Sequence, residues 1–313
     1  MIQSDSLEIF KQNVYFPHEI GMVSNNAYLS IVVTNDCQRA CVYCINSETN
    51  HKLELPIDKA IENIKRLVDK YHIKEAILLG GEPTLHSNLF ELLKALRTKT
   101  GLQFIRLTTN GIKLNSDKSF IDQLVDKDYG VQGLNISFHN EDFMSFEELK
   151  ETCDLIKKAN PNIKIRINTN IWKGNNDTLA DLMLFLHMLE FDVELVDEVR
   201  ISNIIPKDSF SVNSVNDNFI GLSVEEYNNF FESICEFYST NNEVTLIENK
   251  HTLGFVRYVL IPNKLPIIIN WNTSSSVSEQ ICENDITNRH INTFKCLVNG
   301  DISLSWNENN IIF

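Results

Sequence analysis

Cys37-Gln38-Arg39-Ala40-Cys41-Val42-Tyr43-Cys44 brings three thiols into eight residues, at spacings of four and three. The segment directly follows Tyr28–Val33 (YLSIVV), an apolar run that reads as a buried strand. It therefore sits at a strand's carboxyl end, where ligands gather in α/β proteins. Three thiolates on an irregular loop can hold three corners of a cubic iron–sulfur cluster, leaving the fourth iron open to an external ligand. Two other readings stay open. A structural zinc site wants four ligands and paired C-x2-C spacings; His51 could supply the fourth, but no second such pair follows. Three core thiols that bind nothing would not need the polar Gln38 and Arg39 between them.

Further polar groups fall at the ends of later strands. Gly80-Gly81-Glu82-Pro83 closes the strand Glu75–Leu79, 36 residues after Cys44. Paired glycines let a backbone approach a ligand, and a carboxylate beside them can meet a cation. Thr108-Thr109-Asn110-Gly111 closes the next strand, and Asn-Gly alone is a turn signal. Ser137 ends a fourth strand in Asn135-Ile136-Ser137-Phe138-His139-Asn140. On the fifth, Arg166, Asn168 and Asn170 alternate with Ile163, Ile165 and Ile167, which puts the polar three on one face. A polar inward face suggests a ligand, although a lone Arg is more often a surface residue. Arg200, Ser202 and Asn203 lie on a sixth strand.

The elements that position these groups alternate from Ala27 to about Pro206. Apolar strands are followed by amphipathic helices at Pro56–Tyr71, Ser87–Thr98, Ser119–Asp126, Ser145–Ala159 and Thr178–Phe191. Six β-α repeats mean parallel strands with right-handed crossovers. The count predicts an α/β fold, an open partial (β/α)6 barrel; a flat doubly wound sheet has the same periodicity. After about Ser211 the alternation stops and asparagine becomes frequent. One helix, Ser223–Ser239, and two hairpins are expected there: Gly254–Ile261 with Leu265–Trp271, and Thr293–Val298 with Asp301–Trp306 across Asn299-Gly300. The expected organisation is an N-terminal extension (1–26), the core (27–210) and a small α+β covering region (211–313).

The cysteine loop, with Tyr43 in the aromatic place of C-x3-C-x-aromatic-C, and the strand-end motifs in their order resemble the radical S-adenosylmethionine (SAM) enzymes over about Ala27 to Pro206. The resemblance implies the partial six-stranded barrel and one 4Fe–4S cluster on Cys37, Cys41 and Cys44. It implies that the reduced cluster cleaves SAM to methionine and a 5′-deoxyadenosyl radical, which takes hydrogen from substrate. It assigns Tyr43, Gly80, Gly81, Glu82, Pro83, Thr109, Asn110, Ser137, Arg166 and Asn168 to the SAM site. Among these, the glycine-glutamate motif receives the methionyl ammonium and Asn168 the ribose. His139 stands where relatives often carry Asp, and its role is open between substrate, helix cap and solvent. An electron donor such as flavodoxin or ferredoxin is implied as partner.

The remaining cysteines, at 153, 235, 282 and 296, lack the dense pairing of an auxiliary-cluster extension. Cys153 and Cys235 look like core. Cys282 and Cys296 are candidate hydrogen donors to a substrate radical, against the plainer role of structural thiols. The substrate is expected to be a peptide or a small molecule, with Arg257, Asn270, Trp271, Asn272 and Trp306 as candidate pocket residues. A non-enzymatic iron–sulfur electron carrier is the alternative, but it would not need the glycine-glutamate motif. With 28 Lys and Arg against 42 Asp and Glu, the net charge of −14 argues against nucleic acid. No apolar run approaches the ~18–20 residues of a membrane span, and the first residues lack the basic-then-apolar order of a signal peptide. A cytoplasmic location is expected.

Overall fold

A computed structural model describes residues 14–41, 43–44, 52–139, 144–175, 178–189, 195–204, 221–240, 243–251, 254–261, 264–272, 290–306 and 310–313. In chain order the elements are β1 (Tyr15–His18), β2 (Gly21–Thr34), α1 (Ile57–Tyr71), β3 (Glu75–Gly80), α2 (Leu89–Lys99), β4 (Phe104–Thr109), α3 (Ile112–Ser116) and α4 (Lys118–Leu124). They continue with β5 (Gly133–Ser137), α5 (Phe146–Ala159), β6 (Lys164–Ile171), α6 (Leu179–Leu189), β7 (Glu198–Asn203), α7 (Val224–Ser239), β8 (Thr245–His251), β9 (Gly254–Leu260), β10 (Ile267–Asn272), β11 (His290–Cys296) and β12 (Ile302–Ser303). All six expected β-α repeats are present. The first helix shows why. Pro56 stands at the N-cap of α1, and Ala60, Ile61, Ile64 and Leu67 form its buried stripe. His72 closes the helix in the left-handed region at φ 55°, its N–H donating to Val68 O.

The described residues fall into two compact units that interleave along the chain. The first contains Asn13–Asn135, Leu155–Ile163 and Ser276–Phe313; the second contains Ile136–Asp154 and Lys164–Ser275.

In the first unit β2, β3 and β4 run parallel in that order. β11 adds parallel to the other edge of β2, and β12 pairs antiparallel with β11. Leu29, Ile31, Ile64, Leu67, Leu78, Ile105, Leu107 and Phe294 are fully buried there. In the second unit β6, β7 and β10 are parallel, and β9 and β8 follow antiparallel. Tyr227 of α7 lies beneath this sheet, its hydroxyl donating to Ile201 O at 2.9 Å and Asn270 O at 3.2 Å.

Both expected hairpins form, but each also joins a parallel strand from earlier in the chain. The strand expected to begin at Tyr28 begins at Gly21, and its first residues pair with β1. Asn25 and Asn26, both exposed in mid-strand, broke the apolar pattern that would have marked it.

Candidate active site

The cysteine loop leaves β2 at Thr34 and returns beside it. Leu55 N–H donates to Val33 O at 2.9 Å, and Asn35 N–H to Leu53 O at 3.2 Å. Leu53 N–H donates to Asn35 Oδ1 at 2.6 Å, and Lys52 pairs with Asp36 at 2.8 Å. Glu54 is tied to Ser87 by two hydrogen bonds, which hold its carboxyl below the usual range.

The end of β3 clamps the outgoing root of the same loop. Gly81 N–H donates to Thr34 O at 2.8 Å and Glu82 N–H to Asp36 O at 2.7 Å. A Cβ at Gly80 (φ 149°) would lie 2.1 Å from Thr34 O, and one at Gly81 would lie 2.1 Å from Asp36 O. The glycine pair thus accommodates the loop's own backbone, where the sequence pointed to a ligand.

Glu82 is 1% exposed, and its carboxylate accepts four hydrogen bonds. Oε1 accepts from Thr84 N–H at 3.1 Å, Thr84 Oγ1 at 2.7 Å and Thr109 Oγ1 at 2.7 Å. Oε2 accepts from Asn110 N–H at 2.8 Å. The sequence offered this carboxylate to a cation; in the fold it joins the ends of β3 and β4. Pro83 starts the short 3-10 turn Pro83–Leu85, whose N-cap is Glu82. Asn110 Oδ1 accepts from Ile112 N–H at 3.1 Å, while its Nδ2 is buried with no hydrogen-bond partner.

Cys37, Cys41 and Cys44 are half-buried thiols outside any disulfide, and Cys37 lies in electrostatic reach of the other two. Burial first, and then the charges of Glu82, Cys44 and Cys41, push the Cys37 thiol up. The Arg39 amide donates to Cys37 Sγ at 3.4 Å, and Cys44 N–H closes a turn on Cys41 O at 3.0 Å. Burial, followed by contact with Cys41, raises the Tyr43 phenol.

In the second unit the burial of β6 alternates as expected. Ile165, Ile167, Thr169 and Ile171 are buried, and Arg166, Asn168 and Asn170 share the other face. Parallel register sets Asn168 beside Arg200 and Asn170 beside Ser202. Arg166 is ion-paired with Glu198 and only 13% exposed, so it is not a surface residue. Asn168 Oδ1 is buried without a hydrogen-bond partner. Ser137, partly buried, ends β5. His139 is 6% exposed, which removes the solvated reading; its Nδ1 accepts from Asn170 N–H at 3.0 Å, and Trp172 packs edge-on against it.

Cys153 is buried in the second unit. Cys235 is half-buried, and its neighbour Phe237 is exposed rather than packed. Cys282 lies outside the described residues. Cys296 is fully buried in register with Ile31, and burial pushes its thiol up to about 12. That is a core position. Arg257 is spent on Glu248, on Asn228 at 2.9 Å and on the Phe231 ring. Asn270 is buried in β10, and Trp306 belongs to the first unit; the side chains of Trp271 and Asn272 are outside the described set.

This donor set fits an iron–sulfur cluster. Three thiols share one clamped loop, and an unpartnered buried amide, Asn110 Nδ2, stands next to the clamp. Among the described residues no three His, Cys, Asp or Glu side chains are grouped to suit a single metal ion. A cluster instead spreads its thiolates one to an iron. Nor, among those residues, is any helix long and apolar enough to cross a membrane.

The sequence profile of the Radical SAM superfamily matches residues 31–189. GTP 3′,8-cyclase of Listeria monocytogenes is 27% identical over 189 residues, 56% of this chain and 55% of that protein. The Rhizobium etli enzyme is 29% identical over 192 residues, 56% and 53% of the two chains. The chain thus spans about half the length of the curated relatives it matches. Streptococcus suis SuiB bound to S-adenosylmethionine superposes with a TM-score of 0.58 at 13% identity, over 90% of this chain and 60% of that one. SuiB bound to its precursor peptide SuiA gives 0.60 at 14%, over 95% and 61%. At such identity the structures speak for the fold alone.

Proposed function

Because the chain belongs to the radical SAM superfamily, enzymes that use SAM and an iron–sulfur cluster, we propose that it abstracts hydrogen from a peptide or small-molecule substrate by reductive cleavage of SAM. The three-thiol loop clamped between β2 and β3 carries this reading. Cys37, Cys41 and Cys44 would hold one 4Fe–4S cluster. When bound, that cluster supplies one electron to SAM, whose cleavage leaves methionine and a 5′-deoxyadenosyl radical. A single cluster is favoured because Cys153 and Cys296 are core thiols.

The chain's own work is holding, orienting and drying. Gly80, Gly81 and Glu82 fix the loop root. Asn110 offers an unspent donor suited to a carboxylate. Tyr43, half-buried beside Cys41, helps to shield the loop from water. In the second unit, the unpartnered Asn168 Oδ1 supports its assignment to a ribose hydroxyl, and Ser137 offers a further hydroxyl. Arg166 keeps that face in place through Glu198. The relatives' name, GTP 3′,8-cyclase, supports the small-molecule class, with a nucleotide as substrate. A flavodoxin or ferredoxin is proposed as electron donor.

Anaerobic reconstitution with iron and sulfide should load about four irons per chain. With dithionite and SAM the loaded protein should release 5′-deoxyadenosine, and Cys41→Ala should lose at least tenfold of both iron and product. Loaded protein that never forms 5′-deoxyadenosine, or Cys41→Ala that keeps its iron, would sink the reading.

A further inference from the structure

We propose that Glu82 is a positioning residue, which sets the cysteine loop against the end of β4, and that it does not receive the SAM ammonium. The proposal rests on the cluster-and-SAM reading above but assigns this carboxylate another task. A carboxylate has about four lone-pair sites. Glu82 uses four hydrogen bonds: Thr84 N–H and Oγ1 and Thr109 Oγ1 on Oε1, and Asn110 N–H on Oε2. All four donors are the protein's own, and the residue is 1% exposed. Oε1 is filled by three donors, and the lone pair left on Oε2 lies in a residue too buried to offer a ligand ammonium an open approach. The same residue's N–H holds Asp36 O at 2.7 Å, next to Cys37. One residue thus ties the loop root, the 3-10 turn and the strand end that carries the unpartnered Asn110 amide. Its charge also lies within electrostatic reach of the Cys37 sulfur.

Glu82→Gln separates the two tasks. Its carbonyl oxygen can still accept from the three donors on Oε1, but its NH2 group replaces Oε2 and faces Asn110 N–H donor to donor, so the tie to the end of β4 and the negative charge are lost whether or not cofactor is present. In protein without cluster or SAM, Tm should fall by about 5 °C or more. In reconstituted protein the SAM-free cluster should shift to a more positive midpoint potential, because a negative charge near Cys37 is gone. SAM should bind the loaded variant within threefold of the parent. Thr84→Val, which removes one donor and leaves the charge, should lower the cofactor-free Tm by less and leave the potential and SAM affinity unmoved; it stands in if Glu82→Gln does not fold. A SAM affinity lowered tenfold or more in either variant, or an unchanged cofactor-free Tm in Glu82→Gln, overturns the proposal. Failure of the enzyme reading would show separately, as parent protein that loads no iron or forms no 5′-deoxyadenosine.

Discussion

A methyl group at Gly81 has nowhere to go. Its Cβ would lie 2.1 Å from Asp36 O and 2.6 Å from Asp36 C, backbone atoms that cannot swing aside. Gly81→Ala is therefore expected to part β3 from the loop root. Iron retention after reconstitution should fall about tenfold or more, measured as iron per chain after desalting; retention equal to the parent would count against the clamp. The motif was legible in the sequence as two glycines and a glutamate at a strand end, but its partner was not. Which backbone comes within 3 Å of a glycine is decided by strand order, and no local pattern records that. Glu82 shows the same limit. Its type and place were readable, whereas its four donors, drawn from Thr84, Thr109 and Asn110, needed the register of β3 with β4.

Apart from the short α3, which went unread, the helices were read to within two residues, because each carries its stripe and its ends locally. α7 is the clearest: Ser223 accepts from Glu226 N–H at 3.2 Å, and Glu226 returns the bond to Ser223 N–H at 2.7 Å. Strands fared differently. β1 and β8 escaped notice, since Pro17 interrupts the one and Glu248, Asn249 and Lys250 fill the other. The parallel additions of β11 to β2 and of β10 to β7 join segments far apart in sequence, so turn chemistry could not announce them. One side chain makes the second of these testable. Tyr227 of α7 reaches the carbonyls of both Ile201 in β7 and Asn270 in β10 from a fully buried position. Tyr227→Phe keeps the ring and drops the donor, so it should cost about 1–2 kcal/mol in urea unfolding. A loss below about 0.3 kcal/mol would mean that the strand pair holds α7 without this bond.

Across the whole chain the shifted groups define a pH window of stability. Glu19 is drawn down to about 2, first by its bond to Lys70 and also by Tyr71, and Asp117 to about 2, first by Lys113 and then by Ser119. What these carboxylates contribute is present above their ordinary values, 4.5 and 3.8, and is lost as pH falls toward about 2. At the other end, burial holds Cys296 protonated up to about 12 against an ordinary value of 9.0, and Tyr71 up to about 12 against 10.0. Between those limits the unfolded chain releases a proton that the folded chain keeps, so stability is full below about 9 and falls as pH rises. The slope from one such group is about 1.4 kcal/mol per pH unit. When unfolded, Cys296 titrates ahead of Tyr71 and together with Cys37 and Cys235, whose thiols burial also raises, so it should contribute to the onset of the alkaline limb. In cofactor-free protein, Cys296→Ala should start less stable at pH 7, from the small cavity it leaves. Between pH 9 and 10.5 it should then lose stability more slowly than the parent, so the two curves converge. Parallel curves over that interval would show that the thiol ionises as readily in the fold as outside it, and that the packing of β11 against β2 does not protect it.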